Sequence, residues 1–466
     1  MRRLVLCMLP VLIFSCTNSK TGKELSVTYC SNCHSYPEPS LLPESIWREN
    51  ILPEMGLLLG VVDLDNHLKK KGKISPLEKS LIKKIYGTER KISSEDWEKI
   101  TAFYLEEAPE SFATIPQLEI KNDLDDLFNV NLKTDSSQFC TTKLVFESEL
   151  DRFLLAEKRG LLRVLDSDFL ELEQFYMNGS IAKMEYLGED TLLVLKFGNM
   201  NPSNIPTGSL VQLYPKTESQ LQEPIIRNLH RPVDFQRADF DNDGFKDILI
   251  SNYGFQIGSL SLHRGVSKYG FKEEILSPYS GSLKSITEDF DKDGDLDFMV
   301  LTAQEKEEMS LYDNQGDGTF TQKILIKHSP VHGTSDFVLV DMNGDGLRDL
   351  VLAAGDNADY SQVLKPYHGI YIYYGDEFMN YGSPQFLPIH GATGLLAEDL
   401  DQDGDQDLAV IAHFANFDKT PERGFVWIEN IEHGKSFIGH TSSKGSEGRW
   451  LALEGFTRDG KNGFVD

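Results

Sequence analysis

The 466-residue chain is short of cysteine, tryptophan, positive charge and long apolar runs, and each shortage removes a class of protein. Five cysteines, Cys7, Cys16, Cys30, Cys33 and Cys140, cannot build the disulfide framework of a small secreted fold. With 46 Lys and Arg against 73 Asp and Glu the net charge is −27, which leaves no basic face for nucleic acid. Beyond Leu4 to Phe14 no apolar run approaches the ~20 residues that span a bilayer. What remains, 40% apolar and 26% charged, is ordinary globular material with length for two or three domains.

The cysteines that are present inform by position. Cys30-Ser31-Asn32-Cys33-His34 is C-x-x-C-H, the pattern by which a chain holds haem c covalently. Two thiols three residues apart reach the two vinyl groups of one haem, and the imidazole that follows coordinates the iron. A thioredoxin-like pair would need a βαβ context, and a zinc site a second pair of ligands that the other cysteines do not complete. Haem c is therefore the expected cofactor, held by Cys30, Cys33 and His34, and electron transfer the expected chemistry.

Ahead of the motif, Arg2-Arg3, the run Leu4 to Phe14 and Ser15-Cys16 form a basic region, an apolar region and a small residue before a cysteine. This resembles a bacterial lipoprotein signal over residues 1–15, with Cys16 lipidated and residues 16–24 as a tether. The resemblance implies the cell envelope, on the periplasmic face or the outer-membrane surface, with a lipid anchor in the membrane. Cys140 is then left alone and reads as a buried small hydrophobe.

Residues 20–112 read as helices. Ser75-Pro76-Leu77-Glu78 opens one with a capping serine, proline at the first position and glutamate at the third. A second opens near Ser93 and carries Trp97, Ile100, Phe103 and Tyr104 at helical spacing. With a helix over Lys23 to Tyr29 running into the haem motif, the layout resembles a class I cytochrome c domain, small and all-α. Met55, after a helix-breaking Pro53, is the expected sixth iron ligand, and His67, in a loop expected to be solvated, is its alternative.

Residues 113–466 carry repeats. Four nine-residue segments, Asp239 to Asp247, Asp289 to Asp297, Asp341 to Asp349 and Asp399 to Asp407, recur every 50 to 58 residues. Oxygen ligands stand at positions one, three, five and nine: Asp239, Asp241, Asp243 and Asp247; Asp289, Asp291, Asp293 and Asp297; Asp341, Asn343, Asp345 and Asp349; Asp399, Asp401, Asp403 and Asp407. Glycine at position six, Gly244, Gly294, Gly346 or Gly404, permits the sharp turn. Carboxylates this close repel unless a divalent ion lies among them, so about four Ca²⁺ are expected on EF-hand-like chemistry. Much of the acidity is then metal-ligand charge.

Short apolar segments flank each loop, Phe337 to Val340 before and Ile248 to Ile250, Phe298 to Leu301, Leu350 to Leu352 and Leu408 to Ile411 after, and a further strand follows each. Four strands per period near 50 residues make a propeller blade. Lys143 to Phe146 and Thr191 to Phe197 lie at the same spacing without the loop, as degenerate blades. A last, incomplete blade from Arg449 brings the expected total to about seven, with a strand from residues 113–135 as one means of closing it. The repeats resemble the FG-GAP or VCBS family of integrin-like propellers. The whole chain is similar to bacterial lipoproteins, frequent in Bacteroidetes, that join a cytochrome c domain to such a propeller.

The expected function is thus an exported, membrane-anchored electron carrier whose propeller docks a redox protein or exported oxidoreductase. Two alternatives stand. One is a quinoprotein-like dehydrogenase feeding the haem, for which Asp356, Asn357, Asp359, Lys365 and His368 form a polar cluster. Trp427 and Trp450 are the only tryptophans there, against the repeated tryptophans of quinoprotein propellers. The other is a surface propeller binding a glycan or protein ligand, which leaves the haem motif unexplained.

Overall fold

Apolar runs that lie between two neighbouring sheets are covered on both faces, and the strand after each aspartate loop shows this most plainly. Asp247–Asn252, Asp297–Thr302, Asp349–Ala354 and Asp407–Ala412 are buried at every residue. The computed structural model describes residues 20–70, 75–86, 89–112, 116–127, 141–188, 191–214, 222–267, 270–356, 363–442, 452–458 and 461–465. The export signal with Cys16 lies outside them, as do Cys140, Asn357, Asp359 and Trp450.

Six antiparallel sheets follow one another along the chain, over 141–176, 180–229, 232–277, 282–327, 334–388 and 392–440, each with four strands in chain order. This is a six-bladed β-propeller, which corrects the expectation of about seven blades. Among the described residues, the segment expected to start the last blade contributes two strands, Glu454–Arg458 and Lys461–Val465. They form a hairpin beside the inner strands of the first and sixth blades. The N-terminal strand goes elsewhere than expected: Ile120–Lys121 pairs in parallel with Gly439 and His440 as a fifth strand on the outer edge of the sixth blade. Both segments expected to be degenerate blades are complete and lack only the loop. In the first, an ion pair of Arg152 with Glu147 closes the turn instead.

The helical region is small and does not establish the expected all-α cytochrome c domain. Its helices are short, and Trp47–Ile51 winds as a π-helical turn. Pro53 does not break a helix. The backbone is helical without a break from Glu44 to Leu58, and the π-helical turn over Trp47–Ile51, directly before the proline, accommodates its missing N–H. Two helices are as expected: Ser75 caps Pro76–Tyr86 through Glu78 N–H at 3.1 Å, and Ser93 caps Ser94–Glu107 through Asp96 N–H at 3.0 Å. Leu25, Trp47, Ile100 and Tyr104 form the core between the first and last helices.

The region sits on one end of the propeller, held by loops that join second to third strands. Glu78 accepts from Asn204 N–H at 3.1 Å and Nδ2 at 3.2 Å, and Glu54 from Gln256 Nε2 at 2.9 Å. The Tyr367 hydroxyl donates to Leu41 O at 2.8 Å. Because strands alternate in direction, the aspartate loops, which join first to second strands, emerge at the opposite end.

Every inner strand bulges near its start, and the residue after the bulge is Lys143, Lys183, Asp234, Lys284, Asp336 or Gly394. These charges brace neighbouring blades. Asp234 takes Lys183 Nζ at 2.7 Å and the Ser285 N–H and hydroxyl at 2.8 and 2.7 Å, so one carboxylate ties the second, third and fourth blades. Asp336 takes Lys284 Nζ at 2.6 Å and Leu395 N–H at 3.0 Å, tying the fourth, fifth and sixth. Removing one partner of such a buried pair strands the other. Asp234→Ala is expected to lower unfolding free energy by about 3–5 kcal/mol. The exposed Glu173→Ala is expected to stay within about 0.5 kcal/mol. Urea melts of both variants check this.

Candidate functional site

In each aspartate loop the first carboxylate folds the loop around itself. Asp239 accepts from Asp243 N–H at 3.2 Å and Gly244 N–H at 3.0 Å. Asp289 takes Asp293 and Gly294 at 3.1 and 3.0 Å, and Asp399 takes Asp403 and Gly404 at 3.1 and 3.2 Å. Asp341 takes Gly344, Asp345 and Gly346 at 2.7, 3.2 and 2.7 Å. The turn needs positive φ twice, at the expected glycine of position six and also at position four, where Asn242, Lys292, Gly344 and Gln402 adopt it.

This curl brings ligand oxygens together. One carboxylate oxygen from each of Asp239, Asp241 and Asp243 lies within 4.8 Å of the others, and the same holds for Asp289, Asp291 and Asp297 and for Asp399, Asp401 and Asp403. Asp341, Asn343 and Asp345 share the loop's hydrogen bonds, with the Asn343 amide oxygen, which accepts from Asp345 N–H at 3.0 Å, in the third position. Hard oxygen donors in such a cluster suit Ca²⁺. Burial, reinforced by the neighbouring carboxylates, pushes Asp291 and Asp401 above the usual carboxylate range.

Position nine has a second role that spacing did not reveal. Asp247 accepts from Phe240 N–H at 3.1 Å and Gly265 N–H at 2.8 Å, and Asp297 from Phe290 at 2.9 Å and Asn314 at 2.8 Å. Asp349 takes Met342 and Gly375, both at 2.9 Å, and Asp407 takes Leu400 and Asn430 at 3.1 and 2.9 Å. Each carboxylate is buried and joins its loop to the third strand. Of the four, Asp297 also belongs to a cluster of converging oxygens. Asn314 and Asn430 were missed as well: their amides donate to Phe240 O at 2.8 Å and Met342 O at 2.9 Å, linking each loop to that of the preceding blade. The only sequence signal was an asparagine closing the third strand in two repeats.

At the other end, Cys30 is the last residue of Gly22–Cys30, half-buried beside Tyr104, and Cys33 is exposed. Burial raises the Cys30 thiol pKa. His34 Nδ1 lies 2.8 Å from Ser35 O, which leaves Nε2 as its outward nitrogen. Met55 lies within Leu52–Leu58 and is not part of the cluster that holds Cys30. His67 lies in the helix Leu64–Lys70, not the loop expected for it.

The comparisons with known proteins bear on the loops. Residues 289–352 and 341–410 match the family model of the FG-GAP-like repeat. No curated protein matches the chain. Among solved structures the FG-GAP-like propeller is similar to the Neurospora crassa Pan2 WD40 domain, at 11% identity over 67% of this chain and 82% of that one, TM-score 0.41. It is also similar to the N-terminal domain of Nup159, at 11% identity over 72% and 78%, TM-score 0.38. The extracellular domain of the putative one-component system BT4673 from B. thetaiotaomicron matches at 13% over 59% and 32%, TM-score 0.35. Likenesses this slight carry no argument about function.

The polar cluster of the fifth blade is internal. Lys365 is buried, pairs with Asp356 and donates to Val331 O at 2.9 Å. His368 is buried, and burial lowers its pKa to about 3 and that of His328 to about 4. His332 stacks on Tyr367 with ring centroids 5.5 Å apart. Neutral imidazoles and a paired lysine make this a seat for the helical region, through Tyr367 and Leu41.

Burial drives the Asp407 carboxyl from 3.8 to about 7. A raised folded-state pKa means that the folded chain binds the proton more tightly, so without metal this group's stability contribution falls as pH rises from about 4 to about 7. With chelator, the melting temperature is expected to be higher near pH 5 than near pH 7.5, roughly the window of that shift. Ca²⁺ at about 100 times its Kd adds about 2.7 kcal/mol per site, and is expected to close the gap. Scanning calorimetry in both media decides, and melting unaffected by Ca²⁺ removes the metal.

Proposed function

We propose that this protein is an exported, lipid-anchored electron carrier in which Cys30, Cys33 and His34 attach one haem c and the metal-braced FG-GAP-like propeller docks a redox partner. The observation that carries the reading is the C-x-x-C-H segment at a helix end. Two thiols outside any disulfide stand three residues apart, one at the helix terminus and one exposed, and the adjacent imidazole has its tautomer fixed by the Ser35 carbonyl. That donor set fits haem c. When bound, the haem supplies reversible one-electron chemistry.

The chain's own residues do the rest. Ser35 orients the imidazole and strengthens it as a ligand. Trp47 and Tyr104, with ring centroids 4.6 Å apart, cover the Cys30 side of the segment from water. Met55 or His67 would supply the second axial atom. Cys16 would carry the lipid, placing the protein at the cell envelope, and the propeller end opposite the helical region would be free for a partner.

A second reading, a surface propeller for a glycan or protein ligand, is supported by Phe245, which stands 43% exposed inside the first aspartate loop. The two readings separate on haem. Protein matured in a host able to attach haem c is expected to give a c-type pyridine haemochrome at one haem per chain, abolished in Cys30→Ala with Cys33→Ala. A chain without covalent haem after such maturation overturns the electron-carrier reading and leaves the ligand-binding propeller. Met55→Ala is expected to shift the reduction potential, and an unchanged potential moves axial ligation to His67.

A further inference from the structure

The four aspartate loops share one sequence pattern, yet the residues that face them from the third strands divide them into two kinds. The dividing position is the residue just before the one whose N–H holds the ninth aspartate. It is Arg264 in the third blade, Asp313 in the fourth, Tyr374 in the fifth and Glu429 in the sixth. Two of these are hydrogen-bond donors and two are carboxylates, and they alternate around the ring.

The donors close their loops. The Arg264 guanidinium lies 3.5 Å from the carboxylate of Asp241, the third position of its loop, and donates to Gly318 O at 2.5 Å. The Tyr374 hydroxyl donates to Gly434 O at 2.9 Å. Gly318 and Gly434 belong to the hairpins that join third to fourth strands in the following blades, and each hairpin is pressed onto a loop. A β-carbon on Gly318 would stand 2.7 Å from that of Asp241, and one on Gly434 3.5 Å from that of Asn343. Inside the fifth-blade loop, Asn343 Nδ2 also donates to Asp345 at 3.0 Å. A guanidinium in one blade and an amide in the other thus give the gathered carboxylates a counter-charge or a donor from the chain itself.

The third-strand carboxylates have the opposite effect. The charge of Asp313 acts on Asp291 and Asp297, and that of Glu429 acts on Asp401. Position seven adds a further acid to the same two loops, Asp295 and Asp405, where the third and fifth blades carry Phe245 and Leu347. Asp405 is 7% exposed. His433 N–H reaches its Oδ2 at 3.4 Å, but its buried Oδ1 has no hydrogen-bond partner among the described residues. Carboxylates this dense repel one another, and a divalent ion with oxygen ligands relieves both the repulsion and the orphaned acceptor.

We infer, on the metal-braced reading proposed above, that the propeller holds two divalent cations, in the loops of the fourth and sixth blades, and that the loops of the third and fifth blades take none. In those two, Arg264 and the Asn343 amide under its Tyr374 cover already supply what a cation would. Arg264 is the residue that excludes the ion from the third blade, although Asp239, Asp241 and Asp243 converge there.

Equilibrium dialysis of the full chain against Ca²⁺, with bound metal read by elemental analysis, is expected to give two tightly bound ions per chain, three in Arg264→Gln and two in Arg264→Lys. Hydrogen exchange of the wild-type chain locates them without any variant. On adding Ca²⁺, exchange is expected to slow at least about tenfold in peptides covering 289–297 and 399–407 and to stay within about threefold in those covering 239–247 and 341–349. Should Arg264→Gln fail to fold, the exchange measurement decides by itself. A wild-type chain that binds no Ca²⁺ overturns the metal-braced reading and this inference with it. Any other wild-type count than two, a count still at two in Arg264→Gln, or Ca²⁺-slowed exchange at 239–247 or 341–349 overturns the inference alone.

Discussion

A carboxylate taken out of water must find donors, and the aspartate at the head of each second strand finds two. Asp247, Asp297, Asp349 and Asp407 each hold the second N–H of their own loop and an N–H at the end of the third strand. Those two bonds set the loop at one length and fasten it to the blade. Once that is settled, the chain has little freedom except to curl around the first aspartate, which turns positions three and five toward the same point. The ligand geometry therefore follows from hydrogen bonding that needs no ion. A cation bound there would relieve repulsion among carboxylates already gathered, and so would act on stability more than on loop shape.

The opposite end of each inner strand solves a different problem. Blades packed through apolar faces alone would slide, because the cores between them are similar from blade to blade. The bulge breaks that equivalence by turning one residue out of the pleat into the channel, where its charge finds the next blade. Asp234 and Asp336 each reach in both directions, so two carboxylates register five of the six blades. Lys143, in the remaining blade, faces the C-terminal hairpin, and there the pattern is left without a direct pair.

Much of this was legible in the sequence wherever a local rule suffices. The aspartate loops, the second and third strands and both capped helices follow from spacing, apolar runs and capping chemistry within a few residues. Blade number was not legible, since it depends on how many strands a segment can recruit: the stretch after Arg449 repeats the spacing, but its described residues form a hairpin. The brace was hidden for a related reason. Aligned on the loops, the residue five before the first aspartate reads Asp234, Lys284, Asp336 and Gly394, a mixture of charges and glycine that makes sense only when neighbouring blades are seen to pair them. The ninth aspartate shows the limit most clearly, because ligand and strand brace call for the same residue type.

The helical region ties these two ends to the proposed function. It is seated on the second, third and fifth blades by Asn204, Gln256 and Tyr367, all on loops that follow a second strand. Those strands carry the blade cores, so the seat is joined directly to the packed interior of the propeller. The Cys30 to His34 segment is joined to that interior through Trp47, Tyr104 and the Leu41 contact and not through the aspartate loops, which lie a full strand length away. A cation bound at the loops can then stabilise the scaffold without acting on the His34 imidazole. For the electron carrier proposed above, this separation would keep a partner docked at the loop end away from the Cys30 to His34 segment.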